Sequence, residues 1–266
     1  MRSPVTARVF ALALLLLATP VAEAGWVIVD ENGHETALSR GRLKTAPKDA
    51  RDVSMMLDIG RGRMWVADAE QRRFWEGSVE EFCQAMRGGM AGVMEEALKD
   101  MSPAEREQMQ QIMKGMRGGG APGGAPPRVT VERTNETTQI AGLSARKFRV
   151  LSNGKLYEEL WITTDPALLR EMELSKGSDT VGRMSGCLAG MAGAEPPEST
   201  PEFRKLYSEG FPLKVVYYGD AGGSAGRTVS TVSKVEQRDI PEREFTPPAG
   251  YRAAPLMEVF GAERRR

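Results

Sequence analysis

The stretch "KFRVLSNGKLYEELWIT", residues 147–163, constrains the fold more than any other. Asn153-Gly154 is a residue pair that accepts positive φ at both positions, which a two-residue type I′ hairpin turn requires. Two antiparallel strands are therefore predicted around it. A regular ladder sets Arg149 opposite Glu158 and Val150 opposite Tyr157, matching charge with charge and apolar with apolar. That register puts Leu151, Leu156, Leu160 and Ile162 on one face and Phe148, Val150, Tyr157 and Trp161 on the other. Apolar residues on both faces predict a sheet that is covered on both sides, at least locally.

The same signals recur along the chain. "WVIVDENGHETAL" reads as a hairpin turning at Asn32-Gly33, and "SMMLDIGRGRMWVADAEQRRFWEG" reads as three short strands separated by turn residues. "FPLKVVYYGD" and "RTVSTVSKVEQRDI" form a further strand pair joined through "AGGSAG". Consecutive antiparallel hairpins are the expected frame.

Two helical inserts interrupt it, making the fold α+β. The first covers 79–117, with Phe82, Met86, Met90 and Met94 at every fourth residue and Val79, Cys83, Val93 and Leu98 beside them. Gly88, Gly89 and Gly92 weaken this helix by about 1 kcal/mol each relative to alanine. Ser102-Pro103-Ala104-Glu105 has the spacing of a capping box, followed by an apolar face of Met109, Ile112, Met113 and Met116. "GGGAPGGAPP" at 118–127 reads as a flexible tether. The second insert covers 165–209, with helix starts at Asp165-Pro166 and Thr200-Pro201.

Residues 1–24 carry Arg2 and Arg8, a short apolar run and small residues at Ala22 and Ala24, the pattern of a cleavable signal peptide. The expected mature chain, 25–266, is a single domain that is periplasmic or secreted. Without Arg2, Arg8 and Glu23, the 36 basic and 36 acidic residues become 34 and 35. Such a balance offers no electrostatic basis for binding nucleic acid. After residue 24 no apolar run approaches the roughly 20 residues needed to span a bilayer. An exported compartment permits Cys83 and Cys187 to pair, and in the chain-entropy model such a loop gains roughly 4 to 5 kcal/mol. The sequence leaves open whether they are joined.

Catalytic chemistry needs a nucleophile, a base and an orienting group, and no such set is legible. His34, the chain's one histidine, sits beside a predicted turn. "GGSAG" at 222–226 matches the letters of a nucleophile elbow, but that motif requires a strand-to-helix turn and a histidine later in the chain. Zinc-binding, paired-cysteine and phosphate-cradling motifs are absent. A non-catalytic protein without a cofactor is expected. Seven of the fifteen methionines fall between Met86 and Met116. Thioethers ligate Cu(I), so metal binding is one reading of this cluster. A deformable apolar surface is the other, because methionine suits irregular hydrophobic contact.

Three stretches taken in order, "SMMLDIGRGRMWVADAEQRRFWEG", "GLSARKFRVLSNGKLYEELWITTDPALL" and "GFPLKVVYYG" with the closing "REFTPPAGY", resemble the bacterial envelope family known as domain of unknown function 4412. That family is similar in architecture to the periplasmic lipoprotein carriers of the Lol type. The likeness runs from about Gly41 to Tyr251. It implies a curved antiparallel sheet, an unclosed half-barrel, with helical inserts capping one face.

From this follows an expected function: binding of a lipid, an acylated protein or another hydrophobic ligand in the envelope. Trp65, Trp75, Phe148 and Trp161 are the candidate wall of the site, and Phe82, Met86, Met90, Met94, Met109 and Met113 its candidate lid. The alternatives are an envelope interaction module that uses the methionine face as a protein interface, and Cu(I) binding by the same cluster.

Overall fold

A computed structural model describes residues 24–48, 53–99, 101–102, 105, 107–108, 127–173, 177, 179–184, 187, 197–218 and 226–261, apart from the side chains at 24, 90, 93–97 and 199. The signal segment up to residue 23, all but the last residue of the tether, and Met109, Met113 and Met116 lie outside the described residues.

Twelve strands form one open sheet. In chain order they are β1 Ala24–Asp30, β2 Glu35–Ser39, β3 Arg42–Ala46, β4 Val53–Asp58, β5 Arg63–Asp68, β6 Arg73–Ser78, β7 Val129–Ile140, β8 Leu143–Ser152, β9 Lys155–Thr163, β10 Phe211–Tyr217, β11 Arg227–Asp239 and β12 Arg252–Ala253. Their spatial order is β12-β6-β5-β4-β3-β2-β1-β11-β10-β9-β8-β7. Every neighbouring pair is antiparallel except β12 with β6, which is parallel. The two end strands do not pair with each other, so the sheet is unclosed.

The hairpins predicted from turn chemistry are present. Asn153 and Gly154 have φ of 50° and 79°, as the type I′ turn demands. Where the first and last thirds of the chain meet, β1 pairs with β11. Sequence-distant halves are thereby joined into one sheet.

Alternation along β5 shows coverage on both faces. Met64 and Val66 pack with Val79, Phe82, Leu256 and Val259, while Trp65 and Ala67 pack with Ile240 and Phe245. The first group lies under α1, Val79–Lys99, and a short helix α4, Leu256–Val259. The second lies under a 3-10 turn at Glu242–Phe245, whose Phe245 carbonyl accepts a hydrogen bond from Trp65 Nε1 at 3.1 Å.

Within the second insert, α2 at Pro166–Met172 and α3 at Pro201–Glu209 begin where proline and cap residues predict. Asp165 accepts from the amides of Ala167 and Leu168, and Thr200 from that of Phe203. The Ser102–Glu105 capping box is also formed, with its amides donating over 2.8 Å and 3.4 Å. Among the described residues no helix is long and apolar enough to cross a membrane.

The register of the β8–β9 hairpin differs from the regular ladder. Val150 lies opposite Glu158, Leu151 opposite Leu156, and Arg149 opposite Glu159, with the shift between Val150 and Leu151. Tyr157 is the extra residue of a β-bulge, and beyond it the pairing moves by one. Phe148 and Val150 therefore share a cluster with Leu160 and Ile162, which the regular ladder sets on the other face, as well as with Tyr157.

Candidate functional site

The first cover of the sheet is the foot of α1. A capping box starts this helix: the Ser78 amide donates to Glu81 Oε2 at 2.6 Å and the Glu81 amide to Ser78 Oγ at 3.1 Å. Val79, Phe82, Cys83 and Met86 then recur at helical spacing and pack over β5, β6 and α4. The Phe82 ring meets Trp75 at 6.0 Å between centroids and Phe260 at 6.5 Å. A Cβ on Gly89 would lie 2.1 Å from Met257 Sδ, so glycine there admits the α4 thioether against the helix.

Cys83 and Cys187 are bonded, with their Cα atoms 5.7 Å apart. Cys187 and Met184 belong to the same apolar cluster, and Arg183 pairs with Glu80 at 2.5 Å. Both inserts thus meet over β4–β6. Half-buried Met55, Met86 and Met184 and fully buried Met64 come from four separate parts of the chain to line this junction. Helical spacing identifies Met86, whereas Met55 and Met64 carry no local signal that would place them beside it.

The residues expected to wall a single site are instead divided among four clusters. Trp75, Phe82 and Met86 are together. Trp65 is on the opposite face of β5, Phe148 is under α3, and Trp161 lies near α2. Met90 and Met94 are within α1, but their side chains are outside the described residues, as are Met109 and Met113 entirely. Trp161 is flanked by two ammonium groups, Lys147 at 5.2 Å and Lys214 at 5.0 Å from the ring. His34 sits in its turn, with Nδ1 2.9 Å from Asp30 Oδ2.

The second cover is α3 with the preceding 3-10 turn Pro197–Ser199, and it contains a feature the sequence pattern does not announce. Strand alternation along β9 turns the adjacent Glu158 and Glu159 to opposite faces, into entirely different surroundings. Glu159 accepts from Lys147 Nζ at 2.9 Å and from the Tyr218 hydroxyl at 2.9 Å, and its hydrogen bond raises the Lys147 pKa. Glu158 is only 7% exposed, its Oε2 has no partner, and no ion pair reaches it among the described residues. Burial first, and then the charge of Glu198, push its carboxyl up to about 8.

Glu198 reaches this cluster from the 3-10 turn. Its Oε1 accepts from the Tyr157 hydroxyl at 2.6 Å, while its Oε2 is buried without a partner. Burial raises the Tyr157 hydroxyl, and the hydrogen bond to Glu198 raises it further. Tyr207 on α3 is raised by burial and by both carboxylates. Tyr217 completes the group, meeting the Tyr157 ring edge-on at 5.1 Å.

Compared with known proteins, residues 124–251 match a family model described as Domain of unknown function (DUF4412). The matched stretch runs from within the tether to the residue before β12. The match starts later than the resemblance expected from about Gly41: β1–β6 and α1 precede it, although β1 completes the same sheet by pairing with β11. No curated protein matches the chain. Among solved structures, PNGF-II in its C2 and P21 space groups is similar at 10% and 9% identity over 90% and 89% of this chain, with TM-scores of 0.37 and 0.36. The chain covers 31% and 32% of the PNGF-II chain, about a third of its length. So distant a likeness carries no argument about activity.

Proposed function

We propose that this protein is an exported, non-catalytic binder of a hydrophobic ligand, a lipid or an acylated protein, in the periplasm of a bacterial envelope. In this reading the open sheet is an unclosed half-barrel of the lipoprotein-carrier type, and the two inserts cap its concave face. One observation supports it above the others: α1 and the second insert converge on a methionine- and aromatic-lined junction, with Met55, Met86, Met184, Trp75 and Phe260 half-buried around fully buried Phe82. Thioethers and aromatic edges of this kind accept apolar guests of varied shape.

Organic extraction of the purified protein followed by mass spectrometry tests the proposal. Lipid or acyl species near one per protein are expected, and Met86→Gln with Met184→Gln lowers that yield. A protein that emerges lipid-free and does not bind a fluorescent fatty-acid probe rules it out.

The start of the family match after α1 favours a second reading. As an addition to the matched stretch, the methionine-rich insert would serve as a docking surface for another envelope protein. Met90→Gln with Met94→Gln would then abolish capture of that partner while leaving bound lipid unchanged.

A further inference from the structure

We propose that Glu158 acts as a proton-controlled latch: with its carboxyl protonated opposite Glu198 the segment Pro197–Glu209 is held on the sheet, and when Glu158 ionises the segment is released. This inference is independent of the ligand reading above.

The geometry supplies a sensor and a movable part. Glu158 is on β9 and Glu198 on the segment that packs over it, so the two carboxyls belong to opposite sides of one contact. Each has an oxygen buried with no partner. The groups that the two carboxyls act on are phenols, Tyr157 from β9 and Tyr207 from α3, and the cluster that α3 covers is otherwise apolar, with Phe148, Leu160, Ile162 and Phe203. Among the described residues neither carboxylate has a Lys, Arg or His partner, and the phenols bring no positive charge. Tyr157 donates to Glu198 Oε1, and among the described residues no donor reaches Glu158 Oε2. Two like charges in such surroundings repel each other and lose hydration, so one carboxyl holds its proton.

The segment has a fixed end and a releasable end. At Gly210 an added Cβ would lie 2.4 Å from the Thr163 carbonyl oxygen, so the C-terminal end of α3 is seated against β9 by close backbone approach. Glu198 is at the other end, before Thr200 caps the helix. Ionisation therefore loads the end of the segment farthest from its seat. Lifting it uncovers Phe148, Leu160 and Ile162 on the sheet.

The sign of the pH effect follows from the raised folded-state value. Glu158 binds its proton more tightly when docked, so docking is fully supported below about pH 4.5 and is lost as pH rises through about 8. Across that window the docking equilibrium falls by roughly 3000-fold, since each pH unit between the undocked and docked pKa is worth about tenfold.

Hydrogen exchange on the full chain, corrected for intrinsic rates, reads the latch. Between about pH 6 and about pH 9 the amides of α3 lose roughly 100-fold protection, while those of β5 do not. In Glu158→Gln, α3 protection is flat over the same range. A wild-type α3 whose protection does not change with pH overturns the latch, and so does a Glu158→Gln variant that loses protection as the wild type does. Should Glu158→Gln fail to fold, infrared spectroscopy of the wild type still decides. A protonated-carboxyl C=O stretch present at pH 6 and gone above pH 9 is expected, and its absence at pH 6 refutes the latch.

Discussion

Two segments lie over the same sheet and are held there by different physics. The foot of α1 is fixed by apolar burial and by a disulfide to the second insert. The Pro197–Glu209 segment is fixed by apolar burial and by a carboxyl–phenol cluster that no cation joins among the described residues. A disulfide is indifferent to pH across the neutral range, whereas a buried carboxyl pair is not. A single fold can thus carry one permanent cover and one conditional cover.

Breaking the permanent cover has the largest expected effect. Cys83 and Cys187 are 104 residues apart, so replacing both with serine costs about 4 to 5 kcal/mol in the chain-entropy model. Urea denaturation under non-reducing conditions checks this, and the loss is the same at pH 6 and pH 8. Next, Phe82→Ala empties the centre of the α1 contact and costs about 3 to 5 kcal/mol by the same measurement. A loss below about 1 kcal/mol would mean that the staple alone carries that cover.

On the conditional cover, Tyr157→Phe removes the donor to Glu198 and leaves a second buried oxygen unpaired. A cost of about 1.5 to 3 kcal/mol is expected. Urea denaturation of this variant at pH 7 checks the figure. The smallest effect is expected at a site outside both covers: Trp65→Phe takes the donor from the Phe245 carbonyl and costs about 1 to 2 kcal/mol. Protection of α1 and α3 amides is unchanged in that variant.

Much of the frame is legible in the order of residues alone. Asn153-Gly154, Asp165-Pro166, Thr200-Pro201 and Ser102 with Glu105 each act through neighbours a few residues away, so their turns and caps follow from residue type. The register beyond the turn does not. A bulge adds one residue to one strand without altering the local alternation enough to betray itself, and the extra residue is Tyr157. Alternation alone separates Glu158 from Glu159, but what covers each face is not written in the strand. Likewise the helical spacing of Phe82 and Met86 marks an apolar face but not what covers it, and four aromatic residues assigned to one wall occupy four clusters.

By itself the sequence determined the antiparallel hairpins, the two inserts with their caps, and a pair of cysteines available to bond. Only tertiary structure decided that β1 closes against β11, that Cys83 meets Cys187, and that one of two adjacent glutamates enters an apolar interior while the other takes a lysine. The reason is range. Turns and caps are set by steric and hydrogen-bond terms spanning a few residues, while pairing, burial and the state of a carboxyl depend on groups brought together from far along the chain, 41 residues for Tyr157 and Glu198 and 104 for the two cysteines.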